Sequence, residues 1–223
     1  VTTSASARNS RRAPEITRRE IIDAATEEFA DKGPLGGRID VIASKTNTSK
    51  RMIYYYFESK AGLYREVLEE AYEKIRRREI DLRPETLEPE AALRILTRAT
   101  LQHFECNIEA VKIIAYENLQ YNAATIAATP ELATINEKTL VILEDILSRG
   151  RASGVFRDDP HAPDATDVHQ VLSAMALNRI EHRASFSLLF DRDMLGASET
   201  DHNRDMIEDA VLRFVMKEPR LLP

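Results

Sequence analysis

The sequence of 223 residues holds a single cysteine, Cys106, and only 7 glycines. One thiol forms no internal disulfide, so the chain is not a stapled secreted scaffold and is expected in a reducing cytoplasm. No apolar run reaches the roughly 18 residues that a spanning helix needs, so no membrane partner is expected. The opening stretch VTTSASARNSRRAPE carries arginines without the apolar run of a secretory signal. The few glycines build no phosphate-binding loop. Period-two alternation of apolar and polar residues is scarce, which speaks against sheet.

Catalytic chemistry finds little to work with. His103, His161, His169, His182 and His202 show no metal-ligand spacing with carboxylates or with Cys106. His103 and Cys106 stand three apart on a helical pattern, but two ligands without a third make no site. No Ser-His-Asp or Cys-His nucleophile context is found. The acidic pairs Glu27-Glu28 and Asp158-Asp159 read as solvated surface. The chain is therefore expected to be no enzyme, with no metal and no cofactor.

What is present is a composition of 43% hydrophobic and 30% charged residues, typical of a soluble folded chain. The net charge of −6 is unevenly spread. Residues 1–60 hold 11 Lys and Arg against 8 Asp and Glu, and residues 61–223 hold 20 against 29. A mildly basic front on an acidic body can meet phosphate at one end only.

Helical spacing of apolar residues runs through most of the chain. Residues 1–14 read as a flexible basic arm. Ile21, Ile22, Ala25 and Phe29 mark a helix that KGPLGG, residues 32–37, should end. A short helix over 39–46 points Ile42 and Ala43 inward. A second covers Lys50 to Phe57, and a longer one starts at Lys60. The two prolines of LRPETLEPE, residues 82–90, read as a connection. Helical patterns follow over 90–105, 108–127, 131–152, 164–190 with a break, and 200–216. Gly154 is a helix stop. The fold class is all-α. Its domains are a helix-turn-helix head over 15–60, a connecting helix over 61–81 and a larger helical body over 82–223.

The stretch TNTSKRMIYYYFESK, residues 46–60, carries the chemistry. Asn47, Thr48 and Ser49 are turn and cap residues, and Ser49 can accept from an amide of the next helix's first turn. Two short helices about such a turn make a helix-turn-helix. Ile53 and Phe57 are i,i+4 partners that can face the core with Ile42. Lys50 with Tyr54, and Arg51 with Tyr55, fall on the outer side. A major groove can use every one of these groups. Cations meet phosphates or guanine acceptors, rings touch thymine methyls, and phenols donate to phosphate. Tyr56 can bury its ring and keep its hydroxyl wet. Lys60, at the start of the next helix, can meet a phosphate together with the helix's own amides. The bland alternative packs all four aromatics in a small core.

Residues 17–68 resemble the N-terminal domain of TetR-family transcriptional regulators. The resemblance rests on FADKG closing the first helix, on Ile42-Ala43, on the Ser49 turn and on IYYYFESK. Two departures stand out. Gly37 and Arg38 occupy the place where the family commonly has Thr, and Thr46-Asn47-Thr48-Ser49 replaces Ala-Gly-Val-Ser. The resemblance implies a DNA-binding set of Arg38, Thr48, Ser49, Lys50, Arg51, Tyr54, Tyr55, Tyr56 and Lys60. It further implies a homodimer on a palindromic double-stranded operator and a body that binds a small-molecule effector, the usual output being repression.

For the dimer, Ile207, Ala210, Val211, Phe214 and Val215 form a wide apolar stripe that suits a four-helix interface, unless the same chain buries it. For the effector, IIAYENLQYN sets Tyr116, Glu117 and Tyr121 within an apolar helix, and ALNRIEHRASFSLLF sets Asn178, Arg179 and His182 in another. Polar groups in such places need partners. The candidate ligand residues are Tyr116, Glu117, Tyr121, Asn178, His182 and Phe104, the last with a strong claim to be core instead. The alternative is an internal Glu117–Arg179 or Asn178–His182 network. A helical enzyme or a protein-binding adaptor are the competing functions.

Overall fold

The computed structural model describes residues 3–121 and 123–217, without the side chains of 3–13, 75–81, 133, 135 and 136. Among the described residues there is no β-strand, only an isolated bridge between Phe156 and Met216. The helices are α1 (Thr3–Gly36), α2 (Ile39–Lys45), α3 (Lys50–Phe57), α4 (Lys60–Asp81), α5 (Pro89–Cys106), α6 (Ile108–Tyr121), α7 (Ala124–Ala127), α8 (Pro130–Ala152), α9 (Ala165–Glu181), α10 (Arg183–Phe190) and α11 (Thr200–Val215). They group into two compact units. One holds Val1–Tyr72 with Lys112–Pro130, and the other holds Glu73–Val111 with Glu131–Pro223. Residues 112–130, which the sequence assigns to the body, thus group with the N-terminal helices.

In the first unit, Ile21, Ala25 and Phe29 of α1, Ile42 of α2, Ile53 and Phe57 of α3, and Leu63 and Leu68 of α4 are buried. These are the positions that helical spacing predicts. Phe29 and Tyr64 pack edge to face at 5.5 Å. Gly33 takes φ 66, breaking α1 ahead of Pro34, as expected of KGPLGG. Gly37 is needed for space: a Cβ there would lie 2.5 Å from the Phe29 ring.

Two expectations change here. Residues 3–14 enter α1 as helix in place of an irregular arm; Ala5, Ala7, Arg8, Arg11, Arg12 and Ala13 all favour helix, and no glycine precedes Gly33. Residues 1 and 2 lie outside the described residues. The single pattern over 108–127 splits into α6 and α7, because Ala123 turns left-handed at φ 57.

In the second unit α5 packs against α9 and α11, and α11 against α9. Leu93, Leu96, Leu101, Leu172, Ile207, Val211 and Val215 lie inside. Asp164 caps α9 with a full capping box, its side chain accepting from Thr166 and Asp167. The Phe156 ring covers Gly150 so closely that a Cβ there would meet it at 1.9 Å.

The apolar stripe of α11 proposed for a partner chain is largely, though not wholly, covered within its own chain. Ile207, Val211 and Val215 are buried, and Ala210 and Phe214 are half-buried. The physical reason is that α11 lies on both α5 and α9, which face the centre of that stripe. Among the exposed apolar residues, Leu188, Leu189 and Phe190 follow one another on α10 and are 86%, 73% and 64% exposed.

Candidate nucleic-acid interface

The outer side of α3 is built by what its inner side must do. Ile53 is 0% exposed and Phe57 3%, so an eight-residue helix anchored there turns Lys50, Arg51, Tyr54 and Tyr55 outward. Tyr54 is 46% and Tyr55 77% exposed. Tyr56 is half-buried, its ring 5.6 Å from Tyr55 and 6.2 Å from Phe57. The four aromatics therefore divide, and the reading that packs all of them in a core fails for Tyr54 and Tyr55.

The helix starts as its sequence predicts. Ser49 is extended, and its hydroxyl accepts from the Met52 amide at 3.3 Å. Thr48 is half-buried in the turn. Arg38 precedes α2 with its guanidinium exposed, while its amide donates to Glu28 Oε1 at 3.1 Å.

Two cations have partners that the sequence did not announce. Lys50 Nζ lies 2.6 Å from Asp40 Oδ1, and that hydrogen bond holds the Asp40 carboxyl below its usual range. Arg38 reaches the same carboxylate at 4.0 Å. Asp40 was missed because it sits on α2, ten residues before Lys50, and only the crossing of α2 with α3 brings them together. Lys60 Nζ donates to the Leu35 carbonyl at 2.9 Å. The first-turn amide of Gly62 is taken by Ser59 Oγ at 2.9 Å. Lys60 thus stands on the end of α1, and one of the amides expected to share a phosphate with it already has a side-chain cap.

The candidate effector residues fall in both units. Tyr116, Glu117 and Tyr121 belong to the first, and Phe104, Asn178 and His182 to the second. Glu117 is 0% exposed and accepts from the Tyr64 hydroxyl at 3.1 Å and from the Thr125 amide at 2.6 Å. Tyr116 is half-buried against Gly33, and Tyr121 lies 6.4 Å from the Tyr64 ring. Phe104 is buried in the core, the place its pattern favoured.

Of the two internal pairs weighed from sequence, one is found and one is not. Asn178 Nδ2 is 3.3 Å from His182 Nδ1, both residues being exposed. Arg179 does not pair with Glu117 but with Glu105, at 2.6 Å. Glu105 also holds Arg204, so one carboxylate faces two guanidiniums.

Among the described residues no group of three His, Cys, Asp or Glu side chains could hold a metal ion, and no helix is long and apolar enough to cross a membrane.

The sequence is similar to that of known regulatory proteins. Residues 21–67 match the family model "Bacterial regulatory proteins, tetR family", and residues 89–211 match "Tetracyclin repressor-like, C-terminal domain". The chain is 36% identical over 143 residues to the HTH-type transcriptional repressor NicS of Pseudomonas putida, covering 64% of this chain and 67% of that protein. It is 28% identical over 207 residues to the HTH-type transcriptional repressor SCO4008 of Streptomyces coelicolor, covering 92% and 97%. Among solved structures, the putative transcriptional regulator SCO4942 of Streptomyces coelicolor superposes with a TM-score of 0.64 at 25% identity, over 89% of this chain and 98% of that one.

Proposed function

Because the chain belongs to the tetR family of bacterial regulatory proteins and is a helix-turn-helix transcriptional regulator, we propose that it represses transcription from a palindromic operator and that a small molecule releases it. The observation that carries this reading is the division of α3. Ile53 and Phe57 are buried, while Lys50, Arg51, Tyr54 and Tyr55 are presented outward. Those four side chains, with Arg38, Thr48, Ser49, Tyr56 and Lys60, are the DNA contacts we assign. Lys50 and Arg51 serve phosphates or guanine edges, and the tyrosines serve thymine methyls and phosphates.

One such head reads few base pairs, so two heads are needed, roughly 34–36 Å apart on one face of a duplex. We assign the partner contact to α10 in place of the α11 stripe. Leu188, Leu189 and Phe190 form a bare apolar surface of the kind that marks an interface. Residues 15–60 form the DNA-binding head and 61–81 the connecting helix; of residues 82–223, assigned from sequence to the body that takes the effector, 112–130 group with the N-terminal helices. The candidate ligand residues do not make one site in this reading: Tyr116 and Tyr121 belong to the first unit, Asn178 and His182 to the second, and Glu117 and Phe104 serve the core. The effector acts only through its affinity difference between the DNA-competent and released states.

Selection of bound duplexes from a random pool, followed by a salt titration, tests the proposal. A palindromic consensus and a steep loss of affinity with salt are expected. Flat, negligible binding to every duplex would favour an adaptor or an enzyme.

A further inference from the structure

The ion pair between Asp40 and Lys50 lies where a DNA-binding face should hold only cations. Its atoms are 2.6 Å apart, and both side chains are more than half exposed. Arg38 lies 4.0 Å from the other carboxylate oxygen. An anion here repels every phosphate and cancels a neighbouring cation, so it lowers affinity for duplex DNA in general. Besides favouring the start of α2 and tying it to α3, such a group gains in recognition where some sequence satisfies the carboxylate.

We propose that Asp40 and Lys50 together read one C·G base pair in each half-site. This rests on the assignment of α3 to the major groove. Lys50 opens α3, and the first residues of a recognition helix are those that meet base edges. The pair offers an acceptor beside a donor. A C·G pair offers the complement: the cytosine N4 amino group donates, and the adjacent guanine O6 and N7 accept. Adenine also carries an amino group, but N6 lies between its own N7 and the thymine O4 across the pair. A carboxylate there meets an acceptor on both sides, whereas cytosine N4 has one on only one side. The Asp40 carboxyl, held below its usual range by the Lys50 hydrogen bond, is an obligate acceptor at neutral pH. Lys50 need not leave its partner, because an ammonium has three donors.

The test is duplex selection and competition binding with the full chain, its Asp40→Ala, Lys50→Ala and Arg51→Ala variants, and a circular dichroism check of each. The wild-type protein should select C·G at one position of each half-site, by about tenfold over T·A. Asp40→Ala should lose that preference, keep the rest of the consensus, and bind arbitrary duplex more tightly. Should Asp40→Ala disturb the first turn of α2, Asp40→Asn replaces it in the test. The amide keeps the shape and should move the preference at that position towards adenine. An unchanged consensus in these variants overturns the inference, and so does a uniform gain on all duplexes, which would leave Asp40 a matter of charge alone. If Lys50→Ala and Arg51→Ala leave duplex binding unaltered, the groove assignment itself falls. If they weaken binding while the Asp40 variants keep the consensus, only the base-reading inference falls.

Discussion

The Tyr64 hydroxyl of α4 donates to Glu117 Oε2 of α6 at 3.1 Å, and the Thr125 amide donates to the other carboxylate oxygen at 2.6 Å. Glu117 is fully buried, and Arg179, the partner its sequence context suggested, is bound to Glu105. A buried carboxylate held by one phenol and one amide depends on both, because an unsatisfied oxygen keeps its whole desolvation cost. Glu117 also takes an amide of the first turn of α7, so it fixes how the chain turns after α6.

Tyr64→Phe should therefore destabilise the protein by about 1–3 kcal/mol, read as a lower urea midpoint with an unchanged slope. The same variant carries a pH signature. Burial first, and then the Glu117 charge, push the Tyr64 phenol up from its ordinary value. A raised folded pKa contributes stability that is complete below the unfolded value of about 10 and is lost as pH rises beyond it. The wild-type midpoint should thus fall more steeply above about pH 10 than that of Tyr64→Phe. Parallel curves would show that the Tyr64 phenol is not held up in the folded state by burial and Glu117.

Gly37→Ala and Gly62→Ala should both lower Tm. A Cβ at Gly37 would stand 2.5 Å from Phe29 Cδ1, and one at Gly62 would stand 2.2 Å from the Phe57 carbonyl oxygen. Overpacking of this kind costs roughly 1–3 kcal/mol. Gly62 should be the more sensitive, since its obstacle is backbone and a ring can tilt. Gly154→Ala is the comparison: no atom lies within 4 Å, but φ 74 disfavours any side chain.

Ile53→Ala and Tyr55→Ala separate folding from recognition on one helix. Ile53 is 0% exposed and Tyr55 77%. The first should cost about 2–5 kcal/mol of stability. The second, like Tyr54→Ala, should keep the helical signal and Tm while weakening operator binding. A drop in Tm with either tyrosine variant would reassign that ring to packing.

Lys60→Ala should weaken binding to all duplexes alike and lower the salt slope by about 1. For Lys60 to bind phosphate, its ammonium must exchange or share the Leu35 carbonyl it now holds at 2.9 Å. An unchanged slope would mean that Lys60 only ties α4 to the end of α1.

Leu188→Glu, with Leu189→Glu as a second variant, should convert dimer to monomer in analytical ultracentrifugation without loss of helix. Neither side chain is buried in its own chain, so neither charge disturbs a core. The matching change at Val211, 0% exposed, should unfold the protein instead. Dimers that survive both α10 variants would move the interface elsewhere.

Much of this was legible in the order of residues. Periodicity located Ile21, Phe29, Ile42, Ile53 and Phe57 inside because each element is short and its apolar face is unambiguous. The Ser49 cap is a local device that its neighbours define. The reading was weaker where one pattern served two outcomes. The stripe of α11 suits another chain or the same chain equally well, and only its seat on α5 and α9 decides. Polarity groups Tyr116, Glu117 and Tyr121 with Asn178 and His182, yet they belong to different compact units.

By itself the sequence determined the helical class, the helix-turn-helix and the outward set on α3, since all three depend on spacing within one or two turns. Only the tertiary structure decided which partner each charge meets. Lys50 finds Asp40, Lys60 finds the Leu35 carbonyl, and Arg179 finds Glu105 while Glu117 is left to Tyr64. The physical reason is reach: a charge interacts strongly over a few ångströms, and which groups come that near is settled by how helices cross, which no local pattern encodes.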